Sequence, residues 1–270
     1  MPTSPFGYAR KLIKNGAAKQ NAAQTTPDKK LALHDIITLK ESNTTAGHLT
    51  STRPHLDILY EDSLILIANK PPGLPMHRTA EFEDNLVEVA QAYMIQRATP
   101  CKLDPINRLD RGTSGAVILA KSSSSAAIYG RQVKETGLNK LYLALVHGIP
   151  GENGVISEPL DGKASETRYK ILLSGEESSL LAVTPISGRM HQIRRHLNVI
   201  GHPIVGDKRY NGGEMPELSG FALHSLRTSL ILDESGELTV CAPLSEEMMI
   251  LCTRKGIDRD LLLETVYQLV

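Results

Sequence analysis

The spacing of apolar residues changes several times along the chain, and each change marks an element. "LDILYEDSLILIANK" (56–70) holds two apolar runs around Glu61-Asp62-Ser63, the pattern of a hairpin, and Pro71-Pro72-Gly73 breaks the second strand into a loop. Residues 84–98 switch to helical spacing: Leu86, Val89, Ala90 and Tyr93 share one face, and Asp84 is placed to cap it. "GAVILAK" (115–121) predicts a short buried strand, and "SSSSAAIYGRQVKE" (122–135) a helix with a Ser cap. "KLYLALVHG" (140–148) predicts a strong strand, and "TRYKILL" and "SLLAVTP" an antiparallel pair joined by "SGEES". "GRMHQIRRHLNVI" (188–200) reads as a basic helix with Met190, Ile193 and Leu197 as its buried stripe and Arg194 beside that stripe. "GHPIVGDKRY" (201–210) reads as a loop, "LTVCAP" as a late strand, and 246–254 and 258–269 as two short helices. Strand pairs alternate with helices without a regular βαβ repeat. The expected fold is α+β, with a mixed, largely antiparallel central sheet and flanking helices.

The first 52 residues differ in texture. "KLIKNGAAKQ" fits a short basic helix ended by Asn15-Gly16, and turn and strand pieces follow. "KESNTTAGHLTSTRP" (40–54) is polar and aperiodic, a linker. The expected division is a short N-terminal appendage, 1–52, and a main domain, 53–270.

Charge changes this picture only locally. The chain of 270 residues balances 30 Lys+Arg against 30 Asp+Glu, which argues against a uniformly basic surface. Residues 1–30, however, carry Arg10, Lys11, Lys14, Lys19, Lys29 and Lys30 against Asp28 alone. The window 189–209 carries Arg189, Arg194, Arg195, Lys208 and Arg209 against Asp207 alone. Such clusters suit either a polyanion site or a solvated helix face. With aromatics at 4% and no Trp, a wide base-stacking platform is not expected. Cys101, Cys241 and Cys252 have no metal-type spacing and predict reduced thiols in a cytoplasmic protein. No signal-type run and no stretch of roughly 18 apolar residues points to a membrane. No phosphate-cradling Gly loop is present, so no nucleotide cofactor is expected, and His191 and His196, five apart, do not form a metal pair.

Three segments can carry chemistry. In "INRLDRGTSG" (106–115), Asp110 lies between Arg108 and Arg111, whose charges favour the ionised carboxylate. That suits nucleophilic attack, and the Gly-Thr-Ser-Gly turn could expose it; an ion pair that pins a loop is the alternative. In "GRMHQIRRHL", Arg195 and His191 are placed to meet phosphates, while Arg194 could reach inward. Lys140 and Tyr142 alternate along one strand and face the same side, where the Tyr could stack on a ring, accept a proton, or simply pack.

Together these segments resemble the RluA-type RNA pseudouridine synthases, over about Leu56 to Pro243. The resemblance is carried by "NKPPGLPMH", "NRLDRGTSGAVILAKS", "NKLYLALVHG", "SGRMHQIRRHLNVIGHPIVGDKRYNG" and "FALHS", in the family's order. It implies that Asp110 is the catalytic Asp, that Tyr142 lies beside the target base, and that Arg194 pairs with the Asp. It implies that Arg108 fills the place of a flipped-out nucleotide, with Asn107, Arg111, Lys140, Arg189, His191, Gln192 and Arg195 binding RNA around it. The family usually has His where this chain has Asn107. The doubled Arg194-Arg195 resembles a subgroup acting on transfer RNA, whereas the "HPIVGDKRYNG" tail is also common to ribosomal-RNA enzymes. Residues 8–40 resemble the end of the small RNA-binding domain that often precedes this catalytic domain. The implied activity is isomerisation of uridine within RNA by a monomer, without cofactor or metal. Two other readings stay open: a non-catalytic RNA-binding protein on the same scaffold, and a hydrolase with Asp110 as nucleophile.

Overall fold

The computed structural model describes residues 6–40, 42, 56–79, 83–135, 137–232 and 236–270. The linker expected at 40–54 lies, apart from Lys40 and Ser42, outside the described residues, as does the boundary at 52/53. The chain divides into two compact units, 1–55 with 77–100, and 56–76 with 101–270.

In the first unit, α1 (Phe6–Lys14) ends where expected, with Gly16 at φ +67°. It is followed by a small antiparallel sheet in which β1 (Ala18–Gln20) lies between β2 (Ala23–Gln24) and β3 (Ile37–Leu39). The β1–β2 turn uses Asn21 and Ala22, both at positive φ, and the Asp35 carboxylate accepts from Ala32 N (2.7 Å) and Asn21 Nδ2 (2.6 Å). α2 (Leu86–Gln96) buries Leu86, Val89, Ala90 and Met94. Its cap is Asn85 rather than the expected Asp84: Asn85 has extended backbone and its side chain accepts from Glu88 N at 3.1 Å.

The second unit is built on one ten-stranded sheet. β4 (Asp57–Glu61) and β5 (Ile65–Lys70) form the expected hairpin, turned by Asp62, whose carboxylate accepts from Leu64 N and Ile65 N, both at 2.7 Å. β6 (Asp104–Pro105), β7 (Ser114–Ala120), α3 (Ser123–Glu135) and β8 (Asn139–His147) follow. Then come β9 (Gly154–Ile156), β10 (Thr167–Ser174), β11 (Ser178–Pro185) and α4 (Gln192–Val199). A single 3₁₀ turn (Lys208–Tyr210) precedes β12 (Leu223–Leu232) and β13 (Gly236–Cys241), and α5 (Glu246–Arg254) and α6 (Arg259–Tyr267) finish the unit. The order is β4-β5-β7-β12-β8-β11-β10-β9, with β13 beside β12 and β6 beside β7. Every pairing is antiparallel except β7 with β12, so the sheet is mixed and largely antiparallel, as expected.

Nothing in the apolar spacing of 223–232 predicts β12, yet it occupies the centre. Its Ser225, Thr228 and Ser229 are buried because strands flank it on both sides. Its parallel contact with β7 is only two pairs long, His224 with Ser114 and Ser225 with Gly115. The contact closes tightly because Gly115 has no side chain and adopts φ +109°. A side-chain bond reinforces it: Ser114 Oγ donates to His224 Nδ1 (2.9 Å), and His224 Nε2 donates to the Ala242 carbonyl (3.1 Å).

Burial pushes His224 down to about 4, against the pull of the Ala242 carbonyl on its proton. Between pH 6.5 and about 4 the unfolded chain therefore binds a proton here that the native state refuses. Stability should fall by about 3 kcal/mol as pH drops through that window, and this group should add no further loss below it. Urea unfolding of wild type and His224→Asn at pH 7 and pH 4.5 checks this: the wild type should lose more on acidification. Equal losses would mean that His224 is not held neutral.

Candidate active site

The turn that opens β7 carries Asp110, and its backbone is held from two sides. Lys70, at the end of β5, is fully buried, and its ammonium donates to the carbonyls of Pro71 (2.9 Å), Leu74 (2.8 Å) and Arg111 (2.9 Å). Gly73 N donates to the same Arg111 carbonyl at 2.9 Å. Burial pushes Lys70 down to about 7, with Asp110 opposing that shift and Arg111 adding to it. From the other side Phe221 N donates to Gly112 O (3.4 Å), and the Phe221 ring fills the space a Gly112 side chain would need. Thr113 N closes the turn onto Asp110 O at 3.1 Å.

Arg194 reaches this turn from α4, buried as its place beside the apolar stripe suggests. Its Nη1 donates to Asp110 Oδ2 at 2.7 Å, while Nε and Nη2 donate to Asp207 Oδ2 (2.6 Å) and Oδ1 (2.9 Å). The guanidinium lies 4.3 Å from the centre of the Phe221 ring and 4.9 Å from that of Tyr210. Burial works against its charge, and the two carboxylates outweigh burial.

The helix expected over 188–200 begins only at Gln192. Gln192 Oε1 accepts from Arg189 N (3.0 Å) and Ser187 Oγ (2.7 Å), which folds 188–191 into a turn, with His191 left-handed at φ +53°. Met190 is consequently 63% exposed, outside the stripe expected of it. The same turn aims His191 at the site: Nδ1 is bonded to the Tyr210 hydroxyl (2.9 Å), and Nε2 lies 3.8 Å from Asp110 Oδ1. Burial lowers the His191 pKa; the Asp110 charge opposes this, and Arg194 and Arg209 add to it. The His191 imidazole thus flanks the one Asp110 oxygen that Arg194 leaves open.

Tyr142 lies in the interior of β8, on the sheet face it shares with Lys140, and within electrostatic reach of Asp110. Burial pushes its hydroxyl up to about 12; the Ser225 hydroxyl pulls it back slightly and the Asp110 charge pushes further. This phenol keeps its proton near neutral pH, so it suits packing against a ring better than service as a base. Burial also lowers the Lys140 pKa.

Several residues expected to bind RNA are committed elsewhere. Asn107 is buried, its Oδ1 accepting from Ile118 N (2.8 Å) and its Nδ2 donating to Ala116 O (3.5 Å), so it serves as a strand partner for β7. Gln192 is buried with both ends of its amide used, Nε2 donating to Glu166 O (2.8 Å) and Thr167 Oγ1 (3.0 Å). In this arrangement both side chains are turned inward, Asn107 to β7 and Gln192 to the turn before α4 and to β10. Half-buried Arg195 pairs with exposed Asp161 (2.9 and 3.2 Å), and exposed Arg189 lies on the Ala164 carbonyl (3.3 Å). Arg108 and Arg111 are exposed on either side of Asp110.

Four residues of the site were not singled out by sequence reasoning: Lys70, Asp207, Tyr210 and Phe221. Lys70 and Asp207 lie inside quoted motifs, and their burial comes from partners far along the chain. Among the described residues no cluster of His, Cys, Asp and Glu is arranged to hold a metal, and no helix is long and apolar enough to cross a membrane.

The family described as RNA pseudouridylate synthase matches residues 64–199. A ribosomal large subunit pseudouridine synthase C from Buchnera aphidicola is 32% identical, over 89% of this chain and 86% of that protein. An uncharacterized RNA pseudouridine synthase from Bacillus subtilis is 33% identical, over 80% of this chain and 77% of that protein. Among solved structures, human RNA pseudouridylate synthase domain containing 4 superimposes with a TM-score of 0.61 at 24% identity, covering 75% of this chain and 94% of that one. That last likeness speaks for the fold alone.

Proposed function

The chain belongs to the RNA pseudouridylate synthase family, and from that premise we propose that it acts on large-subunit ribosomal RNA, with Asp110 as the group that does the chemistry. It is an isomerase that converts uridine within RNA to pseudouridine. The bond from C1′ of the ribose to N1 of uracil breaks, a bond from C1′ to C5 forms, C5 loses a proton and N1 gains one. No electrons are exchanged with a second reactant.

The observation that carries the residue assignment is the asymmetric setting of Asp110. One oxygen is held by Arg194 and the other faces the partly open side beside His191. A uridine must leave its stack to reach that oxygen. Exposed Arg108 stands at the mouth of the turn, where it can fill the vacated place, and Tyr142 offers a protonated ring at the sheet. Asp110 then attacks C1′ as N1 leaves, or removes a ribose proton to give a glycal; either route needs an ionised, oriented carboxylate. The ribosomal target is supported by relatives named as ribosomal large subunit synthases, one from Escherichia coli being 28% identical over 90% of this chain.

Tritium release from RNA labelled at uracil C5 tests this reading, with ribosomal and transfer RNA offered separately. Release from the ribosomal fraction alone is the expected result. Release from transfer RNA alone would overturn the target, and release from neither would overturn the isomerase reading.

RNA binding should be salt-dependent, since each phosphate neutralised on a single strand contributes roughly −0.7 to the slope of log K against log salt. Arg209 is exposed and adjoins the site through Tyr210. Arg209→Ala should reduce the slope by roughly 0.7, measured by filter binding between low and physiological salt; an unchanged slope would remove Arg209 from the RNA path.

A further inference from the structure

Isomerisation has a step that Asp110 does not cover. Asp110 acts at the ribose, and C5 of uracil must still give up a proton to some group beside it. The ionisable side chains around the turn differ in what they can accept. Arg194 is a buried cation with its donors spent on Asp110 and Asp207, and Asp207 is 1% exposed beneath it. The Lys70 ammonium is enclosed by three carbonyls. Tyr142 is pushed up to about 12 and keeps its proton. Burial lowers the Lys140 pKa, with no contribution from Asp110. His191 is the group with a lone pair to offer.

The backbone holds His191 where such a group is needed. Its φ of +53° is a conformation that residues other than glycine seldom take, and two bonds maintain it. Gln192 Oε1 accepts from Arg189 N (3.0 Å) before it, and Arg195 N donates to His191 O (2.9 Å) after it. On the ring, Nδ1 is bonded to the Tyr210 hydroxyl at 2.9 Å, and the Tyr210 ring meets the imidazole edge-on, 5.7 Å between centres. With Nδ1–H donated to the Tyr210 oxygen, the lone pair lies on Nε2, which stands 3.8 Å from Asp110 Oδ1. The side chains are 16% and 29% exposed, so neither is sealed from substrate. Once C5 is joined to C1′, its hydrogen lies two bonds from the ribose carbon beside Asp110, within reach of Nε2.

The charges around His191 suit a base that must also let go. Burial disfavours the imidazolium, and Arg194 and Arg209 add to that, while Asp110 and Asp207 favour it. The net lowering favours the ring with a free lone pair near neutral pH, and the two carboxylates steady the cation once a proton arrives.

We propose that His191 is a catalytic residue, the base that takes the proton from C5 after uracil has re-attached, with Tyr210 fixing its tautomer. This rests on the isomerase reading above. When C5 bonds to C1′, C5 carries the ribose and its own hydrogen, and the ring holds a double bond between C6 and N1. Nε2 takes the C5 proton, the C5–H electron pair becomes the C5–C6 double bond, and the C6–N1 π pair takes a proton from solvent at N1. The imidazolium returns its proton to solvent, so the hydrogen that began on C5 ends in water.

The test compares wild type with His191→Asn and His191→Gly, on ribosomal RNA carrying hydrogen, deuterium or tritium at uracil C5. Both substitutes tolerate a left-handed backbone. Asn keeps an amide near the place of Nδ1 and offers nothing at Nε2. Thermal melting identifies a variant that fails to fold, and either variant alone suffices. Loss of a general base predicts kcat lowered roughly 100-fold in both, with KM for RNA nearly unchanged. The deuterium effect on kcat should exceed that of wild type, because C5–H cleavage becomes the slow step. Added imidazole should restore part of kcat in His191→Gly, where the missing ring leaves room. A purely structural role would move neither the isotope effect nor the response to imidazole. Wild-type kcat in both variants, a rise in KM alone, or a lowered kcat with unchanged isotope effect and no response to imidazole would each overturn the proposal and leave the isomerase reading standing. A wild type that releases no tritium from ribosomal or transfer RNA would sink the isomerase reading, and the proposal with it.

Discussion

Asp110→Asn is expected to abolish tritium release, lowering turnover by at least roughly four orders of magnitude, while the protein stays folded and binds RNA. The substitution keeps the shape of the side chain and removes its charge. The turn around it does not depend on that charge: the Lys70 ammonium and Gly73 N hold the Arg111 carbonyl, and Phe221 N holds the Gly112 carbonyl. Arg194 retains Asp207, so no buried cation is orphaned. An amide oxygen, however, is neither a nucleophile for C1′ nor a base for a ribose proton. Stopped-assay tritium counts with filter binding and thermal melting alongside decide it. Turnover within tenfold of wild type would remove Asp110 from the chemistry, and loss of RNA binding together with activity would mark it as a structural ion pair.

Gly115→Ala should cost about 3–5 kcal/mol of stability, the sum of a strained backbone and an overpacked contact. An added Cβ would overlap the Ser225 carbonyl oxygen and come within 2.7 Å of Ser225 N, at a φ of +109° that L side chains rarely adopt. Both obstacles are backbone in the middle of a sheet, so neither can rotate away. The melting temperature should fall by roughly 10 °C. The surviving folded fraction should turn over more slowly, because β7 and β12 must part at the point where the Asp110 turn begins. A variant that melts within about 1 kcal/mol of wild type would show that this junction yields easily.

The elements legible in the sequence were those whose burial follows from their own spacing: the β4–β5 hairpin, β7, α3, β8 and the β10–β11 pair. β12 was not legible, because Ser225, Thr228 and Ser229 interrupt its apolar run and its burial is conferred by neighbouring strands. The start of α4 was misplaced by four residues because one side chain, Gln192, captures the Arg189 N–H, and periodicity carries no record of such a bond. Arg194 beside the buried stripe was readable from helical spacing, and its pairing with Asp110 from the family resemblance. Asp207 after a glycine looks like any turn acid until Arg194, 13 residues earlier, is placed against it. Lys70 at a strand end looks solvent-facing until the carbonyls of three other residues converge on it.

The central position of β12 also sets an order of events during synthesis. Ser114 and His224, bonded across the parallel contact, are 110 residues apart, and β5, β7, β8 and β11 are all made before β12 exists. A growing chain therefore has two ladders and no seam until residues 223–225 have emerged. Closing that seam is a long-range step, slow relative to the local hairpins. Completion of the sheet thus waits on one late strand, and a stalled chain lacking it would have no bond from Ser114 to His224 to close the seam beside the turn that carries Asp110.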